Sequence, residues 1–212
     1  MRRYLCLVIA SASLLAACER KASSEIDFGT ISNSVYHNNY LGFSVTIPTN
    51  WSLQDQEAQR QLARKGLSMV AGDDKNLNAA LKASELQSLN LFGAFKYPRG
   101  APVTNNPAVM AVAENVRQLP GIQRGKDYLF HAKQLLQSGQ IAISFPTEIY
   151  TERVNGVDFD VMDVELSVGS RTVKEKYYAT IRKGYALSLV FVSGSDQEEP
   201  IEKKVLETIV FQ

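Results

Sequence analysis

The chain has 212 residues, of which 45% are hydrophobic and 21% are charged. These proportions are typical of globular proteins and exclude the compositions of disordered, collagen-like and coiled-coil chains. The formal net charge is +1, and without Arg2 and Arg3 it becomes −1, because 21 basic residues then stand against 22 acidic ones. So balanced a charge excludes bulk electrostatic attraction to nucleic acid or to anionic lipid.

The N-terminus has the parts of a secretory leader: the positive pair Arg2-Arg3, an apolar stretch over 4–15, and two alanines before Cys18. The apolar stretch is too short to span a bilayer comfortably. The residues Leu15-Ala16-Ala17-Cys18 resemble the lipobox of bacterial lipoproteins, in which a diacylglycerol is attached to the cysteine thiol and the chain is cut just before it. The alternative is a plain secretory leader in which Cys18 has no special role.

Lipidation would decide both the location of the protein and its available chemistry. Two or three acyl chains hold a protein on a membrane essentially permanently, whereas one does so only marginally. Cys6 would leave with the leader and Cys18 would become a thioether, so no cysteine would remain for a disulfide, a thiolate nucleophile or a sulfur metal site. In the lipoproteins that this leader resembles, aspartate after the cysteine favours retention in the inner membrane. Glu19 stands here, so we expect the periplasmic face of the outer membrane, with the inner membrane as the alternative.

The chain therefore divides into a signal peptide over 1–17, a lipidated N-terminus with a flexible tether over 18–34, and one domain over 35–212. The tether is predicted because 20–34 is mostly polar and contains several serines and a glycine. No internal repeat or second domain boundary is evident in the remainder.

The first half of the domain predicts a hairpin, two helices and two strands. Residues 35–47 predict the hairpin around a turn-rich centre, and Ser52 followed by Asp55 resembles a capping box for a helix running toward Lys65. Residues 77–85 predict the second helix. Pro98 ends the first strand. This strand is predicted from apolar residues at alternate positions: Leu89, Leu91, Phe95 and Tyr97. The continuously apolar run over 108–113 predicts a strand covered on both faces.

The second half predicts one clear helix followed by a meander of long strands. Apolar residues spaced along one helical face lie between Gly125 and Gly139. The meander covers 147–193, and three dipeptides mark its turns: Asn155-Gly156, Gly169-Ser170 and Lys183-Gly184. A short helix over 200–206 and a terminal strand over 209–211 complete the domain.

The side chains also predict the registers of two hairpins. A two-residue turn at Gly169-Ser170 places Glu165 opposite Lys174, Asp163 opposite Lys176 and Leu166 opposite Val173. For the next hairpin we predict a three-residue loop, Arg182-Lys183-Gly184. Three pairs of mainly apolar residues would then lie opposite each other: Ile181 with Tyr185, Ala179 with Leu187, and Tyr177 with Leu189.

Both ends of the domain resemble those of PsbP-like domains. The stretch that begins at Tyr36 contains asparagines, then Gly42-Phe43, an alternating strand and a Pro-x-x-Trp pattern at 48–51. Near the end, residues 184–187 precede an alternating strand, a short helix and the Ile-Val-Phe of 209–211, which is similar to the way such domains close.

The resemblance implies an α+β fold in which an antiparallel sheet is flanked by helices on both faces, an α/β/α sandwich like those of PsbP and the Ran-binding protein Mog. Many bacterial lipoproteins of unassigned role share that architecture. The matching motifs determine a fold and carry no chemistry, so Trp51 and Pro48 are expected to be core and turn residues. Some PsbP relatives help retain ions in photosystem II, but no ligand set matches here residue by residue.

No catalytic or cofactor-binding motif occurs in the sequence. A Gly-x-Ser-x-Gly nucleophile elbow, a Gly-rich phosphate loop, an HExxH pair and an EF-hand loop are all missing. His37 and His131, the only histidines, have no partner at motif spacing, so we interpret them as surface or boundary residues. We therefore predict no catalytic residues and no cofactor.

An acidic cluster in the meander is the most tempting metal site: Asp158, Asp160, Asp163 and Glu165. Strand alternation disfavours it, because the first two residues share one face and the last two share the other unless Val161-Met162 bulges. Our leading hypothesis is a non-enzymatic binding or accessory module held to a membrane by its lipid, with an envelope protein as its partner and no nucleic acid. The alternatives are an envelope hydrolase whose residues are not legible in the sequence and a metal-binding protein built on Asp158 and Asp160.

Overall fold

The computed structural model describes residues 27–193 and 201–212. Cys18, the predicted signal peptide and Pro200 lie outside the described residues. Within them the protein is a mixed α+β domain with antiparallel sheets and four helices, which confirms the predicted fold class at that level. The strands form two sheets rather than one.

The elements are numbered in chain order. The helices are α1 (Gln56–Ala71), α2 (Lys75–Gln87), α3 (Gly125–Gln137) and α4 (Ile201–Leu206). The smaller sheet contains β1 (Thr30–Ser32), β2 (Val35–Asn38), β3 (Phe43–Thr46) and β12 (Val210–Phe211), in that spatial order. The larger sheet contains, in spatial order, β4 (Ser52–Leu53), β5 (Ser88–Phe95), β6 (Ala108–Asn115), β11 (Tyr185–Val192), β10 (Arg171–Arg182), β9 (Val157–Val168) and β7 (Ala142–Ser144). The remaining strand, β8 (Tyr150–Val154), also pairs with β9.

Both faces of the larger sheet are covered. One face packs against the smaller sheet and α4, and this main core includes Tyr36, Phe43, Phe92, Phe159, Leu187, Leu189, Phe191, Val205 and Ile209. The other face packs under α3, where Leu129 contacts Met162, Val164 and Ala179. Helices α1 and α2 contact β5 and β6 respectively. The prediction of a two-sided strand at 108–113 is confirmed, since alternate residues of β6 belong to the main core and the strand is buried or half-buried throughout.

The folded domain begins earlier than the predicted boundary at residue 35. Thr30–Ser32 pairs with β2, and the Tyr36 hydroxyl donates to the Phe28 carbonyl at 2.9 Å. Asn33 and Ser34 have φ angles of 50° and 61° and form the turn between β1 and β2. These polar residues predicted a flexible tether, but here they make a tight connection within a hairpin.

Helix α1 begins at Gln56, four residues after Ser52. The side chain of Asp55 accepts a hydrogen bond from the Ala58 amide at 2.7 Å and therefore caps the helix. Ser52 lies instead in β4, opposite Phe95. The helix continues past the predicted end at Lys65, as far as Ala71.

The first predicted hairpin register is confirmed and the second is wrong. Glu165 lies opposite Lys174, Asp163 opposite Lys176 and Leu166 opposite Val173. At the next turn Arg182 pairs with Tyr185, so the loop contains only Lys183 and Gly184. Both have positive φ, 49° and 81°, which is the backbone of a two-residue type I′ turn. The prediction relied on alternation, but β11 is buried on both faces, so its apolar residues do not specify a register.

Helix α3 is fixed to the sheet by its first residue and by a carboxylate. A Cβ at Gly125 would clash with the Ala179 carbonyl of β10, so only glycine permits this close approach. Asp160, which is 4% exposed, accepts a hydrogen bond from the Lys126 amide at 2.7 Å and another from the Thr151 hydroxyl at 2.6 Å. The buried carboxylate thus binds the positive end of the helix.

Removal of the Asp160 carboxylate tests this role. We expect Asp160→Ala to lower the free energy of unfolding by about 2 kcal/mol, because the Lys126 amide and the Thr151 hydroxyl lose a buried, charged acceptor. The Arg124 guanidinium, 3.5 Å from the same carboxylate, loses its ion pair as well. Asp158→Ala is the matched control. Its carboxylate is 59% exposed and bonds to an exposed Arg153, so we expect a loss below about 0.5 kcal/mol. Urea unfolding followed by circular dichroism measures both variants, and equal losses would contradict the assigned role.

Candidate functional site

A cleft of about 310 Å³ lies between α1 and the loop 96–107 that joins β5 to β6. The α1 side contributes Ala58, Gln61, Leu62 and Lys65, with Gln54 just before the helix. The sheet and the loop contribute Phe95, Arg99, Gly100, Ala101, Val103, Thr104 and Asn106. The cleft has the size of a site for a small ligand or for a short segment of a partner.

The loop wall of the cleft is held in place by hydrogen bonds at its base and its tip. The side chain of Asn106 accepts from the Tyr97 amide at 3.0 Å and donates to the Tyr97 carbonyl at 2.8 Å. At the tip, the Thr104 carbonyl accepts from Arg171 of β10 at 3.3 Å. Three prolines within 96–107 further restrict the backbone. The cleft is therefore formed before anything binds to it.

The lining of the cleft combines apolar surface with positive charge. Leu62 is 44% exposed although it is a large apolar residue, and Phe95 is half-buried. Lys65 and Arg99 bring two positive charges, and no acidic residue lines the cleft. Neither cation has an ion pair within the residues that the structure describes. Such a lining suits a ligand with an apolar part and an anionic group.

A second group of polar residues lies on the helix-covered face of the larger sheet. The Tyr128 hydroxyl of α3 donates to Glu114 of β6 at 3.0 Å, and Ser84 of α2 donates to the same carboxylate at 2.9 Å. On β10 the Tyr177 hydroxyl donates to Glu175. Burial raises the pKa of Glu175, and the hydrogen bond from Tyr177 only partly offsets this effect. Burial, and then the charge of Glu114, raises the pKa of Tyr128.

A carboxyl group with a raised pKa is a common proton donor or acceptor in active sites. Glu175 does not line the cleft between α1 and the loop 96–107. Its hydroxyl partner, Tyr177, packs against the cluster formed with Leu129 of α3. We therefore interpret this group as a structural connection between the sheet and its helices.

A third group surrounds Lys176 at the edge of the main core. Its ammonium lies 3.7 Å from Asp163 and 3.6 Å from Glu202 of α4. Burial opposes the charge on Lys176, but Tyr150, Asp163 and Glu202 outweigh it and raise the pKa of the lysine. The ammonium thus pairs with two carboxylates, one of which, Asp163, belongs to the acidic cluster of β9. Within residues 27–193 and 201–212, no three His, Cys, Asp or Glu side chains are grouped so that they could hold a metal.

The residues singled out in the sequence do not come together. His37 is exposed on β2 and His131 is exposed on α3, and neither lines the cleft. Asp158 bonds to Arg153 at 2.8 Å, while Asp160 holds the start of α3. The pairing of β9 with β10 runs through Val161-Met162 without a bulge, so Asp163 and Glu165 point to the face opposite Asp160, as predicted.

The cleft does not follow from the sequence pattern. In the loop 96–107 the sequence predicts only the end of a strand, at Pro98. Its prolines, with Arg99-Gly100 between them, are a signal for a rigid surface loop between two strands. The α1 wall gave no comparable signal, because an exposed leucine such as Leu62 is ordinary on a helix.

No family model matches the chain, and no curated protein is significantly similar to it. Solved structures do match it. One is a protein from Bacteroides thetaiotaomicron, determined at 1.50 Å resolution, with 12% sequence identity and a TM-score of 0.42. The match covers 80% of this chain and 45% of that protein, so this chain spans less than half of its length. At this TM-score the likeness supports no assignment of activity. Among the helices of the described residues, none has the length and apolarity needed to cross a bilayer.

The raised pKa of Glu175 predicts a pH-dependent effect on stability. Burial makes the native state hold the proton more tightly than the unfolded chain, in which the pKa of glutamate is about 4.3. The contribution of Glu175 to stability therefore falls as pH rises from that value through the native pKa. We expect Glu175→Gln to be more stable than the parent at neutral pH, since glutamine still accepts from Tyr177 and carries no charge.

The gain should shrink as pH falls from the native pKa toward about 4.3, and below that value the parent carboxyl is protonated in both states. Urea unfolding at acidic and neutral pH measures this difference. Glu148→Gln is the control, since that carboxylate is 97% exposed, and we expect its stability relative to the parent to change little with pH. A Glu175→Gln variant that is less stable than the parent at neutral pH would contradict the prediction.

Proposed function

We propose that this protein is a bacterial envelope lipoprotein whose folded part is a non-enzymatic binding or accessory module. Its anchor is the lipidated Cys18, which lies outside the described residues. The sequence around Cys18 supports the anchor, since charge, an apolar run, small residues and a cysteine follow each other in the order of a lipobox. The periplasmic face of the outer membrane is the proposed location, and the inner membrane is the alternative.

We further propose that the domain is PsbP-like. The sequence resemblance at both ends of the domain supports this assignment. Two features of the fold agree with it: helices α1 to α3 lie on one face of the larger sheet, and α4 lies on the other together with the smaller sheet. Trp51 of the Pro-x-x-Trp pattern packs, half-buried, against the main core.

The preformed cleft between α1 and the loop 96–107 is the observation that carries the binding role. We propose that its occupant is an organic anion or an acidic segment of an envelope protein. Lys65 and Arg99 would bind the anionic group, while Leu62 and Phe95 would contact the apolar part. Two cations without an acidic partner on the described surface remain available to a ligand.

The cleft is tested by titration of the protein with a set of small aliphatic and aromatic carboxylates, followed by NMR. We expect chemical-shift changes in α1 and in the loop 96–107. Arg99→Gln should weaken binding about tenfold, because a charge-assisted hydrogen bond is lost. Arg60→Gln is the control, since Arg60 lies on α1, pairs with Glu57 at 2.9 Å and does not line the cleft. Binding that both variants weaken equally, or that shifts other regions, would contradict the proposal.

The anchor is tested by mass spectrometry of the protein purified from membranes. We expect a chain that starts at Cys18 and carries diacylglycerol on the thiol. Cys18→Ser should abolish the acyl modification and the cleavage that depends on it. A native product with a free thiol at position 18, or with another start site, would contradict the lipoprotein assignment.

A further inference from the structure

Basic and aromatic side chains form a compact surface at the end of the domain where the β10–β11 turn lies. We define the basic–aromatic surface by Tyr40, Arg117, Leu119, Lys183 and Tyr185. The Arg117 guanidinium lies 4.9 Å from the centre of the Tyr185 ring, and the Lys183 ammonium lies 5.6 Å from that of Tyr40. The two tyrosine rings meet edge to face at 5.9 Å.

Hydrogen bonds hold this surface in shape. Arg117 donates to the Tyr40 hydroxyl and, at 3.0 Å, to the Lys183 carbonyl. A Cβ at Gly184 would clash with the Arg117 side chain, so the glycine lets the arginine pack on the turn. The amide of Val116 donates to the Gly184 carbonyl at 3.0 Å and fixes the neighbouring turn. That turn presents Leu119, which is 47% exposed.

The positive charge of the surface is not neutralised by an ion pair within the described residues. Arg117 and Lys183 are exposed. Arg182 beside them donates to the Leu41 and Gly42 carbonyls and, at 2.9 Å, to a main-chain oxygen of Gln212, the last residue of the sequence. The Asp27 carboxylate accepts from the Tyr40 amide at 2.9 Å. Arg117 and Lys183 together outweigh the Asp27 carboxylate, so the surface stays positive.

The second observation is that the basic–aromatic surface lies next to Asp27, at the N-terminal end of the described chain. Asp27 is the first described residue, and its side chain bonds to Tyr40 itself. Cys18 precedes Asp27 by nine positions, and nine residues reach at most about 30 Å. This step rests on the proposed lipid anchor. A lipid on Cys18 keeps the basic–aromatic surface within that distance of the bilayer.

We propose that the basic–aromatic surface docks on the anionic phospholipid headgroups of the membrane that holds the anchor. Arg117 and Lys183 bind phosphate groups, and Tyr40 and Leu119 enter the headgroup region. Anionic headgroups attract basic side chains at short range, and tyrosine is favoured at the boundary between water and lipid. The balanced net charge is no obstacle, since attraction to a headgroup acts over about a Debye length of 8 Å.

Docking would also orient the domain. The cleft lies where the loop 96–107 enters β6, and Arg117 follows the other end of that strand. Eight residues of strand separate the two ends by about 26 Å. A domain that rests on its basic–aromatic surface therefore presents the cleft away from the membrane.

The test uses the mature protein purified from membranes with its lipid and reconstituted in nanodiscs. One set of nanodiscs contains phosphatidylcholine alone, and the other also contains phosphatidylglycerol. Hydrogen–deuterium exchange is followed in peptides that cover the turns 116–119 and 182–185. We expect slower exchange at both turns in the phosphatidylglycerol nanodiscs, and we expect high salt to remove the difference.

Variants separate docking from local folding. Lys183→Asn removes one charge with a residue that tolerates the left-handed backbone of this turn, and Arg117→Gln removes the other. Each lost charge should lower the docking constant about fivefold. Lys75→Gln is the control, since it removes an exposed charge at the start of α2, away from this surface, and we expect no effect. Hydrogen–deuterium exchange of the same two turns in detergent, without a bilayer, shows whether each variant keeps the local fold.

The outcomes also separate this proposal from that of the anchor. A product without acyl chains contradicts the anchor. An acylated protein whose turns exchange equally in both kinds of nanodisc contradicts docking and leaves the anchor intact. Docking on anionic headgroups is also contradicted if the turns are protected equally in both lipids and neither salt nor the two variants change the protection. Some other contact would then cover the surface.

Discussion

Burial of the larger sheet on both faces is the constraint from which the other features follow. Leu187, Leu189 and Phe191 of β11 point into the main core, while the residues between them lie under the helices. Each fully buried side chain of this size contributes about 1.5–3 kcal/mol. A helical layer must therefore stay on the sheet, and Gly125 and Asp160 fix one of its helices there. The cleft exists because α1, which packs on β5, lies beside the loop that leaves the same strand.

The distribution of charge explains why a nearly neutral protein can still have binding surfaces. Many acidic groups are already used inside the fold: Asp160 binds the start of α3, Asp163 faces Lys176, and Glu114 accepts from Tyr128. Local positive charge then remains at the cleft and at the basic–aromatic surface. The two positive regions lie at opposite ends of β6. In the proposed arrangement one end faces lipid, and the other end faces the space in which a ligand or partner is met.

Two turns and one helix cap show which local details of the fold the sequence predicts and which it does not. The turn at Gly169-Ser170 was predicted with its register because cross-strand pairs such as Glu165 with Lys174 are specific for charge. The turn at Lys183-Gly184 was predicted one residue too long, because β11 has apolar residues on both faces. The pattern of Ser52 followed by Asp55 predicted a capping box that begins at Ser52, but Asp55 itself caps the helix. Ser52 pairs with Phe95 in the sheet, and this contact between residues distant in sequence is not visible in the local pattern.

The sequence by itself determined the class of the fold and its long elements, and it is the basis of the proposed lipid anchor, because helical spacing, strand alternation and a leader are local patterns. It also indicated that Asp158 and Asp160 do not share a face with Asp163 and Glu165, since alternation along a strand is local too. Only the tertiary structure decided that Asp160 caps a helix, that Arg99 and Lys65 line one cleft, and that Asp27 meets Tyr40 beside Arg117. Each of these contacts joins residues separated by 13 or more positions, and their proximity follows from packing rather than from any pattern in the neighbouring residues.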